Sequence, residues 1–556
     1  MLNIKLIPMK KSLSAIFWLI MVFFPGFSIL VQAQNLNTDE ENQNHHGNCT
    51  SIMVGRLATI DGSVITSHTC DGIYRTWLEM IPHAKYEKAT MHPVYSGMLF
   101  TEEARDMSKV IKKGEIPEVE ETYAYLNTAY PCMNEKQLAI GETTLFTRPE
   151  LRNEEGLFQI EELEKIALQR CRMAREAISL IGKLAEEYGY GGYSGECLTI
   201  ADPKEVWQFE ISGSGTGKPS AIWCAARIHD DQVGVSANIS RISDIDFNNP
   251  DMFMYSTDLK NVAKNLGLWD GNEPMKFYKV LCGDKARNYG MREFYILSTL
   301  APSLNLSLDD EELPFSVKPE RKLSVFDIMK YFRETFEGTQ YEMSKNLLIT
   351  VQNKDEKGNT VEEKVKSPIA NNWMSWDLRN LINELKPGTI EFRGNIASNG
   401  CSYSHIIQCR SWLPDEVGAV AWFSFDNPGE SPRIPIYAGV THLPPSFCIC
   451  GQNRHRKDAA IWSFREANRL ATITWSKGRT FIEPAVKEFE EKARQEVQVV
   501  EEVAAEMIKA GKTEEAKIYL TNYTNCFADA TMKKWEEMAD IMWGKWSIWG
   551  IFVGVE

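Results

Sequence analysis

Cys49 opens a strand-like run directly after a polar stretch. If the chain is cut between Asn48 and Cys49, one residue carries both a thiol and a free α-amine. A thiol with a pKa of about 8.5 is mostly protonated at neutral pH, whereas an α-amine with a pKa of about 7.7–8.0 can accept its proton. The amine can later protonate a leaving amine, and amide hydrolysis requires both transfers. The thiol can also attack the carbonyl before it, so cleavage and catalysis would share one nucleophile.

The residues after Cys49 predict a hairpin that brings candidate partners to the thiol. Two strand-like runs, 50–57 and 63–69, are separated by an Asp-Gly pair, which is typical of a hairpin turn. Such a turn returns the chain to the level of Cys49. His68 and Asp71 are therefore predicted neighbours of the thiol, within a register shift of one or two residues.

Residues 1–33 show the three parts of a secretory signal peptide. Lys10 and Lys11 precede an apolar core, Ala15–Phe24, and Val31-Gln32-Ala33 supplies small residues for cleavage. A membrane anchor needs about 20 apolar residues, and this core is shorter. We predict export to the periplasm or the cell exterior, with no stable membrane insertion of the mature chain.

The segment 34–48 is polar and has almost nothing to bury, so we interpret it as a propeptide or leader. We expect a main domain over 49–455 and a C-terminal helical segment over 456–556. Strand blocks separated by helical blocks predict an α+β fold with helical insertions. Helices are predicted over 158–188, 285–300 and 325–336 and from 456 onward, with Gly511 between two of the last ones; strands are predicted over 206–211, 221–228, 233–239, 389–392, 405–409 and 417–425; 352–366 is predicted as a loop or hairpin tip.

Composition excludes some classes of function. The net charge of −15 argues against a nucleic-acid-binding surface, which needs clustered Lys and Arg. The 12 cysteines have no repeating spacing, so their pairing is left open. His442, Cys448, Cys450 and His455 fit no standard zinc spacing, and we predict no metal site there.

Three blocks of sequence, in this order, resemble one enzyme family. They are Cys49-Thr50-Ser51-Ile52-Met53-Val54-Gly55 with Ala58-Thr59-Ile60-Asp61-Gly62-Ser63; Ala201 to Glu210 with Trp223 to Ile228 and Val235 to Ile242; and the weaker Gln408 to Pro414 with Val420-Ala421-Trp422. Together they resemble the dipeptidase A-like cysteine peptidases. These are N-terminal nucleophile (Ntn) hydrolases, related to secernins and more distantly to penicillin V and bile-salt acylases.

The resemblance implies a four-layer αββα sandwich with Cys49 at a strand end. It also implies an autoprocessed enzyme that hydrolyses short peptides, above all dipeptides, without a metal or other cofactor. By position, Asp71 matches the acidic residue that holds the amine in related acylases, and Asn238 is a candidate oxyanion-hole donor. The acylases carry an Arg where this chain has His68. A protonated His68 could support the thiolate, and a neutral His68 could act as a base.

Each candidate also has a structural interpretation. Cys49 could form a disulfide with Cys70, Asp71 could cap the hairpin end, and Asn238 could be a turn residue. His68 could be a satisfied polar residue beside its strand. Arg241 could bind a substrate carboxylate or form a surface salt bridge.

Two functions other than a dipeptidase also fit the sequence. One is an N-acyl amide acylase with the same fold, and the other is a non-enzymatic exported binding protein. Whether the chain forms a homo-oligomer is left open.

Overall fold

The computed structural model describes residues 48–215, 220–272 and 274–549. The signal peptide and all but the last residue of the predicted leader lie outside the described residues. Over these ranges strand blocks alternate with helical blocks, and two large antiparallel sheets carry most of the strands. The α+β class predicted from the sequence is confirmed.

The described strands are numbered in chain order. They are β1 Ser51–Val54, β2 Val64–Asp71, β3 Glu79–Ile81, β4 Ala84–Lys85, β5 Met91–Ser96, β6 Ile111–Pro117, β7 Glu121–Thr122, β8 Tyr125–Asn127, β9 Met133–Asn134, β10 Ala139–Leu145, β11 Gly195–Ala201, β12 Val206–Gly213, β13 Ala221–Arg227, β14 Val233–Ser236, β15 Asp244–Ile245, β16 Phe253–Tyr255, β17 Met275–Lys276, β18 Ser316–Val317, β19 Leu348–Lys354, β20 Thr360–Lys366, β21 Cys401–Cys409, β22 Ala419–Phe425 and β23 Ile434–Tyr437.

The described α-helices follow the same convention. They are α1 Ile160–Arg170, α2 Ala174–Tyr188, α3 Leu259–Asn265, α4 Phe277–Cys282, α5 Met291–Leu300, α6 Val325–Phe332, α7 Trp376–Leu385, α8 Asp415–Gly418, α9 Ala460–Ile473, α10 Trp475–Lys509 and α11 Thr513–Trp549.

The first sheet has the strand order β18-β14-β1-β2-β21-β22-β23, and the second has the order β16-β13-β12-β11-β10-β9-β8-β3. The predicted hairpin is present, because β1 pairs antiparallel with β2 through Val54 and Ile65. β2 then runs along β21 for its whole length. The hairpin therefore lies in the middle of a sheet, where both strands are buried.

The pairing of β1 with β2 is irregular next to Cys49. The Thr69 hydroxyl accepts a hydrogen bond from the Thr50 N–H at 2.8 Å, and the Ser67 hydroxyl accepts one from the Ile52 N–H at 2.7 Å. The Ser67 hydroxyl also donates to the Ile52 carbonyl at 2.8 Å. Short hydroxyl side chains thus satisfy main-chain groups that a regular ladder would pair.

The second sheet has different partners on its two faces. Thr66 of the first sheet donates to the Thr199 carbonyl at 2.9 Å. Thr199 shares a face with Ala226 through the strand register, so Trp223, three residues away, projects from the opposite face. Trp223 packs against Gly182 of α2, where an added Cβ would lie 2.3 Å from the indole. The first sheet and α2 therefore cover opposite faces of the second sheet.

The first sheet is covered in the same way. Thr66, which faces the second sheet, shares its face with Ala421 through β21. Trp422 therefore projects from the other face, where its ring lies 5.7 Å from that of Phe326 in α6. Helices thus pack on the outer side of each sheet.

The C-terminal helices pack on the first sheet. Thr524 of α11 donates to the Pro435 carbonyl of β23 at 2.7 Å, and Glu501 of α10 forms a 2.7 Å ion pair with Arg410 after β21. Gly511, with a φ of 77°, ends α10 as predicted. No helix in the described ranges combines the length and apolarity needed to cross a bilayer.

Two predicted elements differ from the structure. The helix predicted over 158–188 is two helices, because Glu176 accepts the main-chain N–H of Met173 at 3.3 Å and Asp202 accepts that of Ala174 at 2.9 Å, which starts a new helix. The strand predicted over 389–392 is absent from this described segment. There the Asn383 side chain bonds both the N–H and the carbonyl of Ile390, each at 2.9 Å, and replaces a neighbouring strand.

The other predicted elements are present with shifted ends. The strands predicted near 206, 221, 233, 405 and 417 correspond to β12, β13, β14, β21 and β22. The segment predicted as a loop or hairpin tip is the exposed hairpin of β19 and β20. The helices predicted near 285 and 325 are α5 and α6, both shorter than expected.

Candidate active site

Cys49 lies two residues before the start of β1 at Ser51, and its side chain is buried. Its sulfur accepts a hydrogen bond from the Asp71 main-chain N–H at 3.4 Å. Asp71 is the last residue of β2, where the register shifts by one residue between Cys70 and Asp71. This bulge re-aims the strand end toward the thiol. The expectation that the hairpin brings Asp71 beside Cys49 agrees with this geometry.

Two further polar side chains lie close to the thiol. The Cys49 sulfur, a ring nitrogen of His68 and a carboxylate oxygen of Glu142 all lie within 4.8 Å of one another. His68 Nε2 and Glu142 Oε2 are 3.4 Å apart, and both side chains have no exposed surface. The hairpin supplies the thiol and the imidazole, and β10 of the second sheet supplies the carboxylate. The site therefore lies between the two sheets.

The surroundings of His68 disfavour a charge on its imidazole ring. Burial lowers the pKa of its imidazole well below the ordinary value, and the neighbouring His405 lowers it further. The two imidazole rings meet edge to face, with 5.5 Å between their centres. Of the two roles that the sequence leaves open for His68, the structure favours the neutral ring, because a cation here would be desolvated.

The surroundings of the thiol raise the pKa values of its acidic groups. Burial raises the pKa of the Asp71 carboxyl to about 7, although Cys401, Arg292 and Thr69 stabilise its charged form. Burial raises the pKa of the Cys49 thiol well above its ordinary value, and the nearby acidic side chains raise it further. In the uncut chain the thiol is therefore not activated by its surroundings.

Glu142 lies next to a second buried acid, Glu196. Burial raises the pKa of its carboxyl to about 7. Burial also raises the pKa of Glu196 well above its ordinary value, and the charge of Glu142 adds to this effect. The two carboxyl groups share a hydrogen bond, so ionisation of one disfavours ionisation of the other.

Arg292 connects the thiol segment to the rest of the site. Its Nη1 donates to the carbonyl oxygen of Asn48, to that of Cys49 at 2.7 Å and to the Thr50 hydroxyl at 3.1 Å. Its Nη2 donates to the Asn238 side-chain oxygen at 3.0 Å. One guanidinium thus contacts the carbonyl oxygen of the Asn48–Cys49 peptide bond, which is the predicted cleavage site.

Helix α5 holds Arg292 in place. Arg292 lies in the first turn of α5, and the next residue, Glu293, accepts a hydrogen bond from the Gly290 N–H at 3.0 Å. The other oxygen of Glu293 accepts the Ala237 N–H at 3.0 Å, and Arg292 donates to the Ala237 carbonyl at 3.0 Å. The start of α5 is therefore fixed to the segment that carries Asn238.

Asn238 has an unusual backbone conformation. Its φ is 65°, in the left-handed region, which Asn tolerates better than most residues. Its side-chain nitrogen donates to the Thr144 carbonyl at 2.9 Å, and its side-chain oxygen accepts from Arg292. These two contacts set the orientation of the amide. Asn238 therefore belongs to the Arg292 network, and one of its two side-chain N–H groups contacts Thr144.

The structure does not bring Arg241 into this network. Arg241 has no exposed surface, so the surface salt bridge that we considered is not formed. Its guanidinium donates to the main-chain carbonyls of Asn288 and Pro314. Arg241 therefore joins separate chain segments that follow β14.

The cysteines that we considered as disulfide partners are not paired. Each cysteine in the described ranges is a free thiol, including Cys49 and Cys70. His442, Cys448, Cys450 and His455 do not form a set of three clustered ligands in this part of the chain.

Sequence reasoning missed two residues of the site, Arg292 and Glu142. Arg292 lies within a predicted helix but far along the chain from the thiol, and a helical pattern does not show what an arginine contacts. Glu142 lies in β10, in a region without predictions. The signal available there was an acidic residue directly after the apolar run Ala139-Ile140-Gly141, because a carboxyl inside a buried strand is rare and usually has a role.

Known proteins resemble this chain over most of its length. The model of the family described as "Peptidase family C69" matches residues 48–488. A "Probable dipeptidase" of Latilactobacillus sakei is 28% identical over 425 residues, which covers 72% of this chain and 76% of the relative. "Probable dipeptidase B" of Lactococcus lactis is 26% identical, with coverage of 72% and 76%. "Dipeptidase A" of Lactobacillus helveticus is 22% identical, with coverage of 72% and 77%.

The protein is therefore a peptide hydrolase. The chain is a member of peptidase family C69, the dipeptidase A-like family, over most of its length. The resemblance found in the sequence is confirmed at the level of the family.

Proposed function

We propose that this protein is an exported cysteine dipeptidase that matures by cutting the Asn48–Cys49 bond. The observation that carries the proposal is the hydrogen bond from Arg292 to the Asn48 carbonyl oxygen, next to the Cys49 thiol. The family match, which starts at residue 48, supports the same boundary. In this proposal the residues before Cys49 are a leader that the mature enzyme lacks.

The proposed architecture is the four-layer αββα sandwich of Ntn hydrolases. The contacts of the two sheets with each other, of α2 with the second sheet and of α6 with the first sheet support this order of layers. The position of Cys49 two residues before the central strand β1 supports it as well.

Self-cleavage follows from the arrangement around the scissile bond. The Cys49 sulfur attacks the Asn48 carbonyl carbon, and the thiol proton passes to the nitrogen of the breaking amide bond. Arg292 stabilises the negative charge that develops on the carbonyl oxygen, a contribution of roughly 3–4 kcal/mol for one well-placed donor. Water then hydrolyses the thioester between Asn48 and Cys49. The products are a carboxylate on Asn48 and a free α-amine and thiol on Cys49.

Peptide hydrolysis repeats the same chemistry on a substrate. The new α-amine takes the thiol proton, the sulfur attacks the substrate carbonyl, and the amine delivers the proton to the leaving amino group. The substrate carbonyl takes the place of the Asn48 carbonyl, where Arg292 and Asn238 stabilise its oxyanion. Water hydrolyses the resulting thioester and regenerates the thiol.

Asp71 orients the new amine in this mechanism. Its main-chain N–H already contacts the Cys49 sulfur, so its carboxyl group is near the same residue. The positive charge of a nearby ammonium group lowers the pKa of a carboxyl group. We therefore expect Asp71 to ionise after cleavage, although its pKa is about 7 in the uncut chain. His68 stays neutral and contributes packing and hydrogen-bonding capacity rather than a positive charge.

Dipeptides are the proposed substrates. The relatives that align with this chain over about three quarters of their own length are named dipeptidases. Export is proposed from the basic, apolar and small-residue pattern of the first 33 residues. The mature enzyme would then act in the periplasm or outside the cell.

The deciding experiment is intact mass and N-terminal sequencing of the exported protein, followed by a substrate panel. We expect a chain that starts at Cys49 and hydrolyses dipeptides. Cys49→Ala should keep its leader and have no activity, whereas Cys526→Ser, at an exposed thiol, should behave as wild type. An active enzyme that still carries residue 48 would contradict the mechanism. Preference for N-acyl amides would indicate an acylase, and an uncut, inactive chain would indicate a binding protein.

A further inference from the structure

His68 and Glu142 are completely buried polar side chains beside the thiol, and the amine-based mechanism gives neither of them a proton to transfer. His68 Nε2 lies 3.4 Å from Glu142 Oε2, and His68 Nδ1 has no hydrogen-bond partner among the described residues. Both side chains have no exposed surface. A sulfur, an imidazole nitrogen and a carboxylate oxygen thus lie within 4.8 Å of one another inside the protein, and these are ligand types that a metal ion accepts.

We propose that the mature chain binds one Zn²⁺ ion through Cys49, His68 and Glu142, and that this ion reversibly inhibits the peptidase. The inference rests on the proposed function in one respect, because the fourth ligand is the α-amine that cleavage creates. Thiolate, imidazole, carboxylate and amine are all ligands that Zn²⁺ accepts.

The distances suit a tetrahedral ion. Zn–N and Zn–O bonds of about 2.0–2.1 Å place two ligand atoms about 3.3 Å apart at the tetrahedral angle. His68 Nε2 and Glu142 Oε2 lie 3.4 Å apart. The sulfur is within 4.8 Å of both, and rotation about the Cα–Cβ bond of Cys49 can shorten that distance.

Cleavage improves the site because it converts Cys49 into a chelating residue. The amine nitrogen, Cα, Cβ and sulfur of a terminal cysteine close a five-membered ring with a metal ion. An amide nitrogen, as in the uncut chain, is a poor ligand. The uncut chain offers three protein ligands and the mature chain four, which completes a tetrahedral set.

The charges balance when the ion enters. Zn²⁺ carries two positive charges, and the thiolate of Cys49 and the carboxylate of Glu142 carry one negative charge each. The S–H proton, any carboxyl proton and any ammonium proton leave to solvent as the metal–ligand bonds form, and nothing is oxidised or reduced. A neutral buried complex avoids the free energy of desolvating an unpaired charge.

Inhibition follows from which electron pairs the ion occupies. Hydrolysis requires the sulfur lone pair as nucleophile and the amine lone pair as base. Both are bound to the metal in this complex, so the enzyme is inactive until the ion dissociates. The ion is therefore a competitor of the substrate and not a cofactor.

The first test titrates the self-processed enzyme, stripped with a chelator, with Co²⁺ as a spectroscopic probe. We expect one Co²⁺ per chain with a thiolate-to-cobalt charge-transfer band, which Zn²⁺ abolishes by displacement. Zn²⁺ should also block alkylation of Cys49 and stop dipeptide hydrolysis, and a chelator should restore both. Mg²⁺ should do neither, because it prefers oxygen ligands.

Variants then assign the ligands. Glu142→Gln and His68→Gln should each weaken Co²⁺ binding at least tenfold, measured on processed chains whose folding is checked by circular dichroism. Cys526→Ser and His442→Gln remove an exposed thiol and an exposed imidazole elsewhere and should leave Co²⁺ binding unchanged. The uncut Cys49→Ala chain should show no charge-transfer band.

The outcomes separate this inference from the proposed function. A processed, active wild-type enzyme without the Co²⁺ band, or one whose cysteine is alkylated equally fast with and without Zn²⁺, overturns the metal site and leaves the dipeptidase standing. Unchanged binding in both folded Gln variants does the same. A chain that is never cut or never active contradicts the proposed function instead, and N-terminal sequencing and the activity assay show this before any metal is added.

Discussion

Two clusters of buried acidic groups in this molecule are built in opposite ways. Asp426, at the end of β22, has no exposed surface and is contacted by Arg465 at 2.7 Å, by Arg469 at 3.3 Å and by the Asn468 side chain at 3.0 Å, all from α9. Burial alone would raise the pKa of Asp426, but Arg469 and Arg465 bring it below its ordinary value. This carboxylate is fully charged and joins a C-terminal helix to the first sheet.

Around Cys49, burial outweighs the contacts that stabilise the charged acids, including that of Arg292 with Asp71. Burial raises the pKa of both Asp71 and Glu142 to about 7, and one oxygen atom of each carboxyl group has no hydrogen-bond partner among the described residues. The comparison teaches that burial by itself does not distinguish a structural carboxyl from a functional one. Between these two clusters, the arginine contacts of Asp426 make the difference, because they offset the cost of burying its charge.

The largest effect on the free energy of unfolding is expected for Asp426. Asp426→Ala leaves Arg465 and Arg469 without their partner and should lower the free energy of unfolding by about 3–5 kcal/mol. Chemical denaturation of the purified chain measures this change. Asp458→Ala, which removes a carboxylate from an exposed ion pair with Arg456, is the matched control and should leave stability unchanged. An equal effect of the two substitutions would contradict the structural role of Asp426.

The next effect concerns processing rather than stability. Arg292→Gln removes the charged donor to the Asn48 carbonyl and should slow cleavage of the leader by about 10²–10³-fold. Time-resolved intact mass of the folded chain follows the reaction. Arg287→Gln, at an exposed position just before α5, should be processed at the wild-type rate. Normal processing of Arg292→Gln would remove Arg292 from the mechanism.

The two clusters should also respond to pH in opposite directions. Burial raises the pKa of the Glu142 carboxyl to about 7 in the folded chain, above its ordinary value of 4.5, and a Cys49→Ala background keeps the chain uncut for this experiment. Its ionisation therefore destabilises the fold as pH rises from about 4.5 through 7. Glu142→Gln should stabilise the chain at pH 8 by about 1–3 kcal/mol and have no effect of this origin below pH 4.

Asp426→Asn provides the comparison for that experiment. The pKa of Asp426 is lowered in the folded chain, so its stabilising effect is present above its unfolded pKa and disappears as pH falls through the folded value. We therefore expect denaturation at several pH values to show two opposite trends. As pH rises, Asp426→Asn should lower the free energy of unfolding by a growing amount, whereas Glu142→Gln should raise it by a growing amount. Parallel curves would mean that both carboxyls have the same kind of environment.

The smallest effect is expected for Arg469, the more exposed of the two arginines that contact Asp426. The Arg469 side chain is about one-third exposed, at 34%, whereas that of Arg465 is 10% exposed. Because solvent screens the outer pair, Arg469→Gln should lower the free energy of unfolding by about 1 kcal/mol or less. Denaturation of Arg465→Gln should show a clearly larger loss. The reverse order would place the stabilising contact at Arg469.

The central hairpin and the place of Asp71 could be predicted because both depend on local patterning. Alternating apolar residues around an Asp-Gly pair determine where β1 and β2 lie and which residues return beside Cys49. The long C-terminal helices were predictable for the same reason, since their apolar spacing and the helix-ending Gly511 are local signals.

The rest of the site depends on contacts between distant parts of the chain. Arg292 reaches Asn48 only because the start of α5 is fixed to Ala237, and Glu142 reaches His68 only because the two sheets face each other. Neither contact has a local pattern. The strand predicted over 389–392 is wrong for a related reason, because an amide side chain there bonds the main chain in place of a neighbouring strand.

The hydroxyl contacts of β2 have a consequence for a newly made chain end. Terminal residues of proteins usually fray unless something ties them down. Here the main-chain N–H of the residue after Cys49 is held by the Thr69 side chain, and from Ser51 onward the strand is paired with β14. An end created at Cys49 would therefore stay where it is, so each turnover would begin with its reactive atoms already aimed instead of having to be ordered again.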